Sequence, residues 1–162
     1  MKNTILSVLV ENNYGVVARI AGLFTRRGFN LNSFTGEETH LKGISRITIS
    51  VTEDENSIYQ IRKQAEILVD IKKVQVLDKE QDIIRELALI KVALRPELQA
   101  KIKELTEQYS VKVIDIDTKI VVFEMCNSKE MIDRFIENVK EFEIIESVRT
   151  GVIALQRGNQ HM

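Results

Sequence analysis

Cysteine occurs once in this chain of 162 residues, at Cys126, and proline once, at Pro96. A single cysteine excludes an internal disulfide and fits a cytoplasmic setting. Histidine occurs twice, as His40 in a polar turn and His161 near the end. Neither has a cysteine, serine or carboxylate at the spacing of a catalytic triad or a metal site. Aromatic residues make up only 6% of the chain. The stretch Ile44-Ser45-Arg46-Ile47-Thr48-Ile49 has none of the stacking aromatics that an RNA-recognition sheet requires. Net charge is only -1, which argues against a sequence-independent hold on nucleic acid. No apolar run approaches the roughly 18 residues that cross a bilayer, and the N-terminus does not read as a cleaved signal peptide. Glycine-rich nucleotide motifs and a Cys-x-x-Cys loop are missing, and the acidic residues are spread along solvated faces with no pair that falls in a pocket. These absences disfavour a catalytic role and leave a sensor or interaction protein. Cys126 closes a strand-like run and is expected in the core.

Hydrophobic residues make up 44% of the sequence and charged residues 29%, ordinary values for a globular protein. Thr4 to Val10 is aliphatic and β-branched, a strand pattern. Val16, Ile20, Leu23 and Phe24 then fall at helical spacing, with Arg26 and Arg27 in the last turn and Gly28 as its cap. Phe29 to Phe34 and Ile44 to Val51 alternate as strands around a polar turn at Glu37 to Gly43. Asp54 and Glu55 open a second helix, with its stripe at Ile58, Ile61, Ala65 and Leu68. Ile71 to Leu77 returns to strand. The order β-α-β-β-α-β predicts a four-stranded antiparallel sheet with two helices on one face, a ferredoxin-like arrangement.

The charged run around residues 79–82 reads as a linker, after which the order repeats. Leu87 to Leu94 is a strand. Pro96 suits a first helical position, with Leu98, Ile102 and Leu105 behind it. Val111 to Ile116 and Ile120 to Met125 are strands joined by a tight turn. Ser128 is an expected N-cap for a helix with Met131, Ile132, Phe135 and Val139. Phe142 to Leu155 supplies the last strand, bent near Gly151. The fold class is thus α+β, two tandem ferredoxin-like βαββαβ domains at 1–78 and 83–158, with 159–162 as a frayed tail. Apolar residues on both faces of the first strand (Leu6, Val8 and Val10 against Ile5 and Leu9) call for a second cover, and a homodimer is the simplest one.

The chemistry concentrates at Glu11-Asn12-Asn13-Tyr14-Gly15, between a strand end and a helix start. Backbone N–H groups are unpaired at such a point, and the helix dipole favours a negative group. Gly15 permits close approach, and the neighbouring Asn amides offer donors and acceptors. Two readings are open: a seat for a small carboxylate, or an ordinary turn in which Asn12 or Asn13 caps the helix. The turn has no Arg to cradle a phosphate, which counts against an acylphosphatase-like enzyme.

Ile5-Leu6-Ser7-Val8-Leu9-Val10-Glu11-Asn12, Gly15, Arg19-Ile20-Ala21-Gly22-Leu23-Phe24 and Arg27-Gly28-Phe29-Asn30-Leu31 together resemble the small regulatory subunit of acetolactate synthase. The likeness continues at Ser45 to Ile49, Leu68-Val69-Asp70, Arg85 to Val92 and Val148 to Val152. The resemblance implies that the first domain is an ACT domain, a module that binds free amino acids between two subunits. It implies no catalysis by this chain alone. The partner would be the catalytic subunit, which carries thiamine diphosphate, Mg and FAD. The chain would activate it and let valine or another branched-chain amino acid inhibit it. The effector residues carried over are Asn12, Gly15 and Val16, with Asn30 and Leu31 from the facing chain of a homodimer. Ala18 and Gly36-Glu37-Glu38 depart from the family pattern and bear on how strong the feedback is. A stand-alone amino-acid sensor for another biosynthetic enzyme is the alternative.

Overall fold

The computed structural model describes residues 2–26 and 28–162. Arg27, expected in the last turn of the first helix, lies outside the described residues. The chain divides into two compact units, Met1–Ile84 with Val152–Met162, and Arg85–Gly151.

In the first unit, β1 (Lys2–Glu11), α1 (Val16–Arg26), β2 (Leu31–Glu38), β3 (Ile44–Glu53), α2 (Glu55–Ala65) and β4 (Ile71–Leu77) follow the expected order. The antiparallel sheet runs β2-β3-β1-β4. Leu6, Val8 and Val10 of β1 and Ile47, Ile49 and Val51 of β3 face the helices. They meet Val16, Ile20, Leu23 and Phe24 of α1 and Ile58, Ile61 and Ala65 of α2. The period of two along strands and about 3.6 along helices makes these residues one layer. α2 starts where Asp54 accepts the Ser57 amide at 3.0 Å. It stops at Ala65, three residues before Leu68, which packs on the core from the following turn.

β2 begins at Leu31, not Phe29, because the Phe29 amide still bonds the Phe24 carbonyl, at 3.0 Å, to close α1. β2 also runs on to Glu38, further than the alternation indicated.

The other face of this sheet is more polar, with Ser7, Thr48 and Ser50 all buried. Ile5 and Leu77 on that face form a small apolar cluster with Val152 and Ala154. The expected last strand divides at Gly151, whose φ is +78°. Its final piece, the short strand Ile153–Leu155, belongs to the first unit. Part of the second cover anticipated from another chain is therefore this chain's own segment. The segment expected to fray has defined contacts as well: Lys73 Nζ donates to the His161 carbonyl at 3.1 Å, and the Gln156 amide to Gln160 at 2.8 Å.

The charged run before the second unit closes on itself. The Asp78 amide bonds the Asp82 carboxylate at 2.8 Å, and the Asp82 amide bonds the Asp78 carbonyl at 2.9 Å.

The second unit comprises β5 (Ile83–Ala93, entering from the first), α3 (Pro96–Tyr109), β6 (Lys112–Ile116), β7 (Ile120–Asn127), α4 (Lys129–Val139), a single 3-10 turn at Lys140–Phe142 and β8 (Ile144–Arg149). Its strands are ordered β6-β7-β5-β8. Pro96 stands at the start of α3, and Ser128 caps α4 by accepting the Met131 amide at 3.3 Å. Phe123 and Phe135 meet edge to face, with ring centroids 5.3 Å apart. Arg149 pins this unit from the strand side. It grips Glu86 with two bonds of 2.8 and 2.7 Å and reaches Asp133 of α4 at 2.6 Å. Cys126 is exposed, contrary to expectation. Phe123 and Met125 point toward the helices, so alternation turns Cys126 to the opposite face.

Candidate functional site

The turn between β1 and α1 is built from the inside outward. The Glu11 amide bonds the Asp70 carbonyl at 2.8 Å, and the Asn12 amide bonds the Gly43 carbonyl at 2.8 Å. These bonds tie the end of β1 to the loops before β4 and β3. The Asn13 amide returns to the Glu11 carbonyl at 2.8 Å, and the Val16 amide bonds the Asn13 carbonyl at 3.2 Å. Gly15 then takes φ +77°, a left-handed conformation that side chains resist.

The Arg19 amide bonds the Gly15 carbonyl at 3.0 Å, the first full helical bond of α1. The amides of Val17 and Ala18 precede that ladder and have no carbonyl one turn back. Gly15 has no side chain to cap them, and α1 has no acidic residue in its first turn. The other helices differ. Asp54 caps α2 and Ser128 caps α4, while α3 carries Glu97 in its first turn. The N-terminus of α1 thus keeps its partial positive charge.

Neither Asn caps the helix. Asn13 turns its amide to Asp70 and Glu11, at 3.1 and 3.2 Å. Asp70 also takes Arg19, with Nε at 2.8 Å and Nη2 at 2.6 Å, while Arg19 Nη1 donates to the Tyr14 carbonyl at 3.2 Å. Lys72 pairs with Glu11. These contacts clamp the turn against β4. The Asn13 and Arg19 bonds hold the Asp70 carboxyl below its usual pKa, and Lys72 does the same for Glu11.

Of the residues expected to bind an effector, Asn12, Gly15 and Val16 belong to the one turn that enters α1, but the side chain of Val16 is buried in the core. What Val16 presents is backbone. Asn30 and Leu31 lie at the other end of the sheet. Leu31 pairs with Val51 and Val51 with Thr4, whereas Glu11 pairs with Ile44. That separates the two groups by about 23 Å within one chain, at roughly 3.3 Å per residue. Arg19 and Asp70 shape the site without a signal in the local pattern, whereas Asn13, which that pattern offered as an amide of the turn or a cap, serves in the clamp. Asp70 is far off in sequence, and only the β1–β4 pairing brings it in. No group of three or more His, Cys, Asp or Glu able to hold a metal occurs among the described residues.

Residues 6–73 match the family described as AHAS small subunit-like ACT domain, and residues 85–158 match the small subunit of acetolactate synthase. A probable acetolactate synthase small subunit of Archaeoglobus fulgidus is 39% identical over 160 residues, 99% of each chain. The acetolactate synthase small subunit of Bacillus subtilis is 37% identical over 157 residues, 96% of this chain and 91% of that one. The crystal structure of the small subunit from Thermotoga maritima superposes with a TM-score of 0.91 at 36% identity, covering 99% of this chain and all of that one.

Proposed function

The chain belongs to the acetolactate synthase small-subunit family, and from that premise we propose that it is a regulatory subunit in branched-chain amino acid biosynthesis. It binds the thiamine-diphosphate catalytic subunit, raises its activity, and makes it sensitive to valine or another branched-chain amino acid. The observation that carries the effector reading is the uncapped N-terminus of α1 behind Gly15, held open by the Asp70–Arg19 clamp.

The effector's carboxylate sits on the first-turn amides, where the helix dipole is positive. Its ammonium meets the Asn12 side chain or a turn carbonyl. Asn30 and Leu31 complete the pocket from a second copy, a reading supported by their position at the far end of the sheet. A site shared between two copies lets the ligand favour one dimer geometry over another. That is the differential affinity a coupling of about 1–3 kcal/mol requires. Valine and isoleucine differ by one methylene, so a pocket of this kind separates them only partly, by about 1–3 kcal/mol.

The test is Gly15→Asp in the reconstituted holoenzyme. A carboxylate at that position repels the ligand's own, so valine inhibition is lost while activation persists. Normal inhibition of this variant refutes the assignment of the pocket.

A further inference from the structure

On the face of the first unit's sheet away from the helices, Ser7 sits in mid-β1, opposite Thr48 of β3 and Gln75 of β4. Arg46 is one alternate position along β3, opposite Leu9. These side chains floor a cavity of about 180 Å³ that Ala154, Leu155 and the following segment roof over. Ser7 is fully buried. Ser7 Oγ, Arg46 Nε and Gln75 Oε1 are all buried and have no hydrogen-bond partner among the described residues.

Three unpaired polar atoms around one cavity are costly, and the half-buried guanidinium is the costliest of them. Among the described residues no aspartate or glutamate side chain lines the cavity; His161 and Met162, the last residue of the sequence, are part of its lining. Burial pulls the Arg46 guanidinium below its ordinary pKa. Water can satisfy a hydroxyl and an amide, but it brings no negative charge to Arg46.

We infer that this cavity is a second small-molecule site, separate from the α1 turn, for a small carboxylic acid that carries an adjacent hydroxyl. The carboxylate accepts from Arg46 and Ser7, and the hydroxyl donates to Gln75. The volume is below that of sites for drug-sized ligands and admits only a few heavy atoms. The inference does not rest on the effector reading, because no residue is shared.

The probe is L-lactate, titrated calorimetrically into the full-length chain, with acetate and inorganic phosphate as comparators. Lactate binds saturably, and acetate, which lacks the donor, binds several-fold more weakly. Arg46→Met removes a charge-assisted bond and weakens lactate about 10- to 150-fold. Ser7→Ala weakens it about 3- to 10-fold, and Gly15→Asp leaves it unchanged. Thermal melting checks that each variant folds; if Arg46→Met does not, Ser7→Ala and Gln75→Leu decide. Failure of the wild type to bind lactate, or wild-type affinity in the folded variants, overturns the site. Tighter binding of phosphate, displacing lactate, overturns the carboxylic-acid class. Loss of lactate binding in Gly15→Asp shows that the two sites are not separate.

Discussion

Gly15 and Gly22 lie seven residues apart, and adding one methyl group at each should change stability in opposite directions. At Gly15 φ is +77°, and an added Cβ lies 3.2 Å from Arg19 Nη1. The left-handed conformation costs a residue with a side chain about 1–2 kcal/mol. The contact adds little, because the far end of Arg19 can yield by a few tenths of an ångström. Gly22 is inside α1, and an added Cβ there meets nothing within 4 Å. Alanine at that position gains helix propensity and restricts the unfolded chain, a stabilisation of about 1 kcal/mol. The two variants should therefore differ by about 2–3 kcal/mol although each adds the same group. Urea titration, with hydrogen exchange at the amides of Ile20, Leu23 and Phe24, reads the unit that contains both glycines. Equal shifts of the same sign would refute the claim that backbone geometry, rather than local crowding, selects Gly15.

Three further outcomes follow from the same contacts. Asp70→Asn unclamps Arg19 and Asn13. Because the folded Asp70 pKa is depressed, its contribution is present above the unfolded value of about 3.9 and lost as pH falls through the folded one. The stability gap between wild type and this variant should thus shrink from pH 7 toward pH 3, as denaturant melts at several pH values would report. Arg149→Met leaves Glu86, whose side chain is only 6% exposed, without its counter-ion. The expected loss is about 3–5 kcal/mol, with recovery in the double variant Arg149→Met/Glu86→Leu. Val152→Ala empties part of the cluster with Ile5, Leu77 and Ala154, and the first unit should lose about 2 kcal/mol on urea unfolding.

The order of elements, the faces of the four helices and the turn at Gly15 are set by local pattern. A stripe at Val16, Ile20, Leu23 and Phe24 can be buried in only one way, and the left-handed turn before it, φ +77° at Gly15, favours glycine. The family was legible for the same reason, since its most specific residues form that strand, turn and helix. The tertiary structure decided three matters that local pattern does not encode. It turned Asn13 away from the helix end, because Asp70 and Glu11 offered its amide stronger, charged acceptors. It placed Val152 and Ala154 on the first unit's sheet, because Ile5 and Leu77 needed an apolar cover. It also gathered Ser7, Arg46 and Gln75 around one cavity. Neighbours across a sheet are fixed by strand pairing, and their spacing along the chain leaves no periodic trace.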